Sequence, residues 1–149
     1  LKKQTFQTYL LVSDGELDEG QSWEAFMYAG NHYINNLTLI CDRNNIQIDG
    51  NTENIQPLEP LADKFTAFGW HVIEVDGHNI REIVDACAQA RAISEHPVAI
   101  IAHTIPGKGV SYMENDYTWH GKPPAHGEEE QIALHDLRML HEKIKSEHE

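Results

Sequence analysis

Four short apolar runs, each closed by a polar turn and separated from the next by a helix-like stretch, constrain this chain more than any other feature. The first, TFQTYLLVSD (residues 5–14), is rich in β-branched and aromatic residues and stops at an Asp-Gly pair, as a strand does. The second, LTLICD (37–42), is almost continuously apolar, the pattern of a strand covered on both faces. WHVIEVDG (70–77) and VAIIAHTI (98–105) supply the third and fourth. Between them, QSWEAFMYAGNHYI (21–34) sets Trp23, Phe26, Met27 and Gly30 along one helical side, and PLADKFTAFG (60–69) reads as a short helix ending at Gly69. NIREIVDACAQARAI (79–93) repeats Ile80, Ile83, Val84, Cys87 and Ala88 at helical spacing behind an approximate Asn79–Glu82 capping pair. Alternating strands and helices require crossover connections, so the expected fold is α/β: a mostly parallel sheet with helices on both faces.

The same alternation runs through the whole chain, and residues 1–149 are expected to form one domain with a sizeable core. A Gly- and Pro-containing loop spans 106–127, and a C-terminal helix spans 128–147. That helix carries a stripe of Ala133, Leu137, Leu140 and Ile144; acidic residues 128–130 open it and Lys143 and Lys145 close it, as the helix dipole prefers. With 24 acidic against 11 basic side chains the formal net charge is −13, which argues against a nucleic-acid partner. Cys41 and Cys87 both fall in apolar segments and read most simply as buried free thiols in a reducing cytoplasm, with a disulfide left open by the sequence. No run approaches membrane-spanning length and no signal peptide is visible, so no membrane association is expected. The sequence opens on Leu1 rather than Met, which leaves a processed, cloned or truncated start open.

Five carboxylates surround a glycine in SDGELDEGQSWEA (13–25). An Asp-Gly pair after a strand is ordinarily a turn, and acids in a first helical turn complement the dipole. The fold class changes this balance, because ligands of open α/β sheets gather where the strands end. Asp14 ends the first strand, and Asn44 lies thirty positions on, at the end of the second. If these strands are parallel neighbours, a carboxylate oxygen, an amide oxygen and a backbone carbonyl just past Asn44 share one edge. Small hard cations take such oxygens and complete their shell with phosphates and water. Gly15, lacking a Cβ, then lets a diphosphate approach the backbone at the start of the next helix. The constellation describes a metal-bridged diphosphate site.

These residues carry a resemblance. SDGELDEGQSWEA followed by NLTLICDRNNIQIDG is similar to the thiamine-diphosphate signature of transketolases, and LEPLADKFTAFGWHVIEVDGHN, HTIPGKGVSYMEN and WHGKPP extend the similarity across nearly the whole chain. The part resembled is the carboxyl-terminal portion of the diphosphate-binding domain, or amino-terminal subunit, which makes residues 1–149 a single, partial diphosphate-binding domain. The resemblance implies that Asp14, the Asn44 side chain and the Ile46 carbonyl hold Mg²⁺ or Ca²⁺, and that Gly15 lies against the diphosphate. It implies apolar contacts from Ile48 and Ile105 to the thiazolium ring. His120 is implied to stand near the diphosphate and the substrate's first hydroxyl, assisting proton transfer. Glu19 and Glu24 are implied to meet partner carboxylates across the interface between active sites. The implied reaction transfers a two-carbon ketol unit between sugar phosphates, in the manner of the pentose phosphate pathway, with the cofactor's ring accepting the electrons of the broken bond.

Plainer roles stand beside each assignment: turn and cap residues for Asp14 and Asn44, a surface histidine for His120, helix-start acids for Glu19 and Glu24, and ordinary core for Ile48 and Ile105. His135 and His141, six apart, do not share a helix face and suggest no zinc site. Two departures bear on activity. Ser13 stands where the family has its first signature glycine, which leads to an expectation of weaker binding. The upstream part of the family's domain and the pyrimidine-binding, carboxyl-terminal portion with its activating glutamate have no counterpart in this sequence. Activity is therefore expected to need a partner chain, in a homo- or hetero-oligomer. A non-catalytic assembly module and another thiamine-diphosphate enzyme, such as a deoxyxylulose-phosphate synthase, are the alternatives.

Overall fold

The structure, a computed structural model, describes residues 6–148, with side chains to residue 145. Thr5, the expected start of the first strand, lies outside the described residues. The elements follow in order as β1 (Thr8–Ser13), a 3-10 turn (Gly15–Asp18), α1 (Gly20–Asn31), β2 (Leu37–Arg43), β3 (Ile46–Gln47), β4 (Gly50–Asn51) and α2 (Thr52–Ile55). Then come α3 (Leu61–Ala67), β5 (His71–Asp76), α4 (Ile80–Ala92), β6 (Val98–His103), a 3-10 turn (Tyr117–Trp119) and α5 (Glu128–His148). The four long strands pair in parallel in the order β1-β2-β6-β5, while β3 and β4 form a small antiparallel hairpin.

The two faces of the sheet are packed with different residues. On one, Phe26 and Ala29 of α1 and Leu61 and Phe65 of α3 meet Val12, Leu39, Cys41, Ala99 and Ile101. Aromatic rings fill this side: Phe26 stands edge-on to Trp70 at 5.8 Å, and the Trp70 indole N–H donates to the Phe26 carbonyl at 2.8 Å. On the other, Ala86 and Ala90 of α4 lie against Val75, Val98, Ile100 and Ala102. Helices thus cover both faces, as the alternation of patterns requires. The strand enclosed along nearly its whole length is β6; on β2, Leu39, Cys41 and Arg43 are buried on the aromatic side, while Ile40 and Asp42 are half-buried on the other.

The buried face of α4 is rotated from the expected one: Ile83 and Cys87 still pack on the core, but Ala88 is exposed. Ile80 and Val84 of α4 are exposed, because the small pair Ala86 and Ala90, four residues apart, permits the closest approach to the sheet. Met27 likewise points to solvent. The stripe on α5 is mostly open: Ala133 is buried and Leu140 half-buried, while Leu137 and Ile144 are exposed. This helix packs on the loop before it rather than on the sheet, tied by the Ser111 N–H and hydroxyl donating to Asp136 at 2.9 and 2.7 Å. The Asn79–Glu82 pair caps α4 as expected: Asn79 Oδ1 accepts from the N–H groups of Arg81 and Glu82, and its amide donates to Glu82. Cys41 and Cys87 are both free thiols, and burial pushes the Cys41 thiol up to about 12.

Gly30 is required by packing. A Cβ there would run into the carbonyl of Phe68, so only glycine lets α1 lie against the corner between α3 and β5. Among the described residues β1 is an edge strand, with Tyr9, Leu10 and Leu11 exposed. None of the described helices is long and apolar enough to cross a membrane.

Candidate functional site

Parallel pairing of β1 with β2, in register from Thr8 opposite Leu37 to Ser13 opposite Asp42, brings Asp14 and Asn44 to the same edge of the sheet. Asp14 is fully buried. Its Oδ2 accepts from Arg43 Nη1 at 2.8 Å, from the Asn45 N–H at 2.6 Å and from the Thr52 hydroxyl at 3.3 Å. Asn45 aims its N–H from a left-handed turn (φ 64°), a conformation asparagine tolerates. Asp14 Oδ1 is also buried but has no hydrogen-bond partner among the described residues. Desolvation raises the Asp14 carboxyl above the ordinary aspartate value, against the opposing pull of the Arg43 charge and of the three donors.

Arg43 closes the underside of this arrangement. Its side chain is 2 % exposed and reaches Asp14, Glu53 and Glu59. Nη2 donates to Glu53 at 2.6 Å and to Glu59 at 2.9 Å, and Nε to Glu59 at 3.3 Å. The Leu61 N–H and then Arg43 hold Glu59 below the usual glutamate range. Glu53 is also lowered: burial opposes this, but the Leu58 N–H and Arg43 outweigh it. The sequence reading missed Arg43, which there was only part of a turn. A basic residue ending an apolar strand in so acidic a chain was the available signal.

Around the chain neighbours of Asp14, but without the buried Asp14 itself in the wall, lies a cavity of about 340 Å³ lined by Ser13, Gly15, Glu16, Glu19, Asn44 and Ile46, and completed by residues 47–49 and His120. Six of the expected site residues therefore converge: Gly15, Glu19, Asn44, Ile46, Ile48 and His120. Asn44 Oδ1 accepts from the Ile46 N–H at 3.0 Å, fixing the amide beside the hairpin. Ile48 is 76 % exposed at the cavity, so it is not core in this chain. His120 follows the Tyr117–Trp119 turn at the end of the long loop and is exposed. Two further buried oxygens, Asp18 Oδ1 and Gln47 Oε1, have no partner among the described residues, and of these only Gln47 belongs to a residue that lines the cavity.

Ile105 and Glu24 lie outside this wall. Ile105 is half-buried, its N–H donating to His78 Nε2 at 2.7 Å, and Glu24 is exposed on α1. At the mouth, Ser13 is engaged: its N–H and hydroxyl both donate to Glu16 Oε2, at 2.8 and 3.0 Å. Three carboxylates, Glu16, Glu19 and Asp49, thus border the cavity, and an anion entering it would be repelled unless a cation came with it. Among the described residues no three His, Cys, Asp or Glu side chains converge to hold a metal. A cation at Asp14 would need the neighbouring amide and carbonyl oxygens.

Comparison with known proteins agrees with this fold. The family profile described as "Transketolase, thiamine diphosphate binding domain" matches residues 2–139. The chain is 50% identical over 112 residues to the 6-deoxy-6-sulfo-D-fructose transketolase subunit SqwG of Clostridium sp. (strain MSTE9), a match covering 75% of this chain and 41% of that protein. It is 42% identical over 149 residues to an apulose-4-phosphate transketolase subunit of Phocaeicola vulgatus, covering 99% of this chain and 52% of that one. The crystal structure of transketolase from Campylobacter jejuni superposes with a TM-score of 0.70 at 38% identity, over 75% of this chain and 17% of that chain. The chain spans about half the length of these two curated relatives. It belongs to the transketolase family, within the thiamine-diphosphate-binding domain.

Proposed function

We propose that this chain forms part of a transketolase-type transferase: with Mg²⁺ or Ca²⁺ it binds thiamine diphosphate above Asp14 and, completed by a partner carrying the pyrimidine-binding portion, moves a two-carbon ketol unit between sugar phosphates. The observation that carries this reading is Asp14 Oδ1, a buried carboxylate oxygen with no donor. Leaving such an acceptor unmet costs about 1–3 kcal/mol or more, a cost that a bound cation removes. Gly15 supports the same reading. A Cβ there would meet only Gln47 Cβ at 3.6 Å, an ordinary contact, and its φ is not left-handed, so the chain's own packing does not require a glycine. Close approach of a ligand gives it a purpose.

In this reading Asp14, the Asn44 side chain and the Ile46 carbonyl hold the cation, and Gly15 faces the diphosphate. The bound cofactor supplies an electron sink for breaking a carbon–carbon bond next to a ketose carbonyl. Ile48 gives an apolar wall that excludes water from one side. His120 holds or moves a proton at the substrate hydroxyl, and its exposure leaves room for substrate. The roles of Ile105 beside the ring and of Glu19 and Glu24 toward a partner belong to the assembled enzyme. The relatives named as subunits support a second chain.

Thermal unfolding with Mg²⁺ and thiamine diphosphate, separately and together, tests the proposal. Ligands that bind only the folded state raise the midpoint. We expect a rise that needs both ligands and vanishes in Asp14→Ala, with ketol transfer from a sugar-phosphate panel appearing when the partner is added. A rise that survives Asp14→Ala would overturn the site. Transfer by the purified chain alone would overturn the need for a partner. No rise in the assembled protein would leave a non-catalytic module as the function.

A further inference from the structure

The donors around Asp14 are unevenly shared: three converge on Oδ2 and none reaches Oδ1. Three donors, one more than its two lone pairs, crowd Oδ2 and leave a cation no open approach to it, an approach that loss of either side-chain donor would open. Arg43 cannot swing aside to release it, because Glu53 and Glu59 grip the rest of the guanidinium and the side chain is almost fully buried. Thr52, fully buried, closes the same oxygen from α2.

We infer that Arg43, with Thr52, is a specificity-determining positioning pair: it restricts Asp14 to a one-oxygen ligand and so favours a small octahedral cation over Ca²⁺. The inference rests on the proposed role of Asp14. Mg²⁺ demands a near-regular octahedron, which one-oxygen carboxylates suit. Ca²⁺ accepts larger, irregular shells in which carboxylates often bind through both oxygens. Arg43 also repels any cation, but it repels two ions of equal charge to a similar degree. The ratio of the two affinities therefore isolates the geometric effect from the electrostatic one.

Mn²⁺ binding to the full chain assembled with its partner, in saturating thiamine diphosphate, gives a readout independent of turnover. Free Mn²⁺ is followed by its paramagnetic resonance signal, and Mg²⁺ or Ca²⁺ is titrated in as competitor. Arg43→Gln should shift the ratio of affinities about tenfold toward Ca²⁺, the lower end of the change in metal affinity that loss of a residue orienting a ligand brings. Thr52→Val, which keeps the shape and removes one donor, should shift it in the same direction by less, and serves if Arg43→Gln does not fold. Ratios unchanged in the folded variants, or affinities that fall in parallel, would overturn the inference and leave Arg43 as a structural ion pair. Undiminished Mn²⁺ binding in Asp14→Ala would instead overturn the parent assignment.

Discussion

The buried cluster next to the cavity, which serves as its floor although none of its residues lines it, and the exposed rim are built on opposite principles. On the floor, Asp14, Arg43 and Thr52 are buried, and their hydrogen bonds join β1, β2 and α2. On the rim, Glu19, Ile48 and His120 are exposed, and no contact of comparable depth fixes them. The chain completes the floor by itself. The rim is left for something else to complete, whether cofactor, substrate or partner. Substitutions should therefore separate cleanly into those that cost stability and those that cost function.

The largest effect belongs to the floor. Asp14→Ala should lose about 3–5 kcal/mol of folding free energy in denaturant titration, since it breaks a buried pair and leaves Arg43 short of one carboxylate. A loss below about 1 kcal/mol would blur the contrast. His120→Ala should show the reverse pattern: stability within about 0.5 kcal/mol of the parent, with kcat of the assembled enzyme down about a hundredfold as for loss of a proton-transfer group. Gly15→Ala should also keep its stability yet weaken cofactor binding about tenfold, an order of magnitude typical of disturbing a pre-shaped site, measurable by calorimetry. An equally tight Gly15→Ala variant would show that the cavity is not filled against that backbone.

The smallest effect is a change in the shape of the acid limb. Glu53 and Glu59 are held below the usual glutamate range, so the stability they contribute is present above that range and is lost as pH falls through their lowered values. Asp14 runs the other way: its raised value means protonation favours the fold, so its contribution is full below the ordinary aspartate value and lost as pH rises through its own. Midpoints followed from neutral to acid pH should fall less steeply in a Glu53→Gln, Glu59→Gln double variant. An unchanged slope would mean that Arg43 does not couple these carboxylates to folding.

The sheet was legible because its strands are short, strongly apolar and closed by turns, and because parallel neighbours align the residues that follow them. That logic brought Asp14 and Asn44 to one edge, whereas Ile46 and Ile48 entered only through the family resemblance. Arg43 was not legible, since its three carboxylates lie 29, 10 and 16 residues away and no periodic pattern links them. The hairpin and α2 were too short to leave a pattern. On α4 the spacing named Ile80 and Val84, but the sheet selected Ala86 and Ala90, because closeness of approach outweighed hydrophobic size. Ser13 was expected to obstruct a ligand by bulk. The structure adds a different obstacle, the Glu16 carboxylate that occupies both of its donors.

Gly30 has a reach beyond its own turn. It seats the carboxyl-terminal end of α1 on the Phe68 carbonyl, and eleven residues earlier stands Glu19, the residue that caps the start of the same helix, on the cavity. At 1.5 Å per residue that is a rigid arm of about 16 Å. A single methyl group at its far end would tilt the arm, so the position of a cavity carboxylate is set by an atom that is missing from the opposite end of the helix.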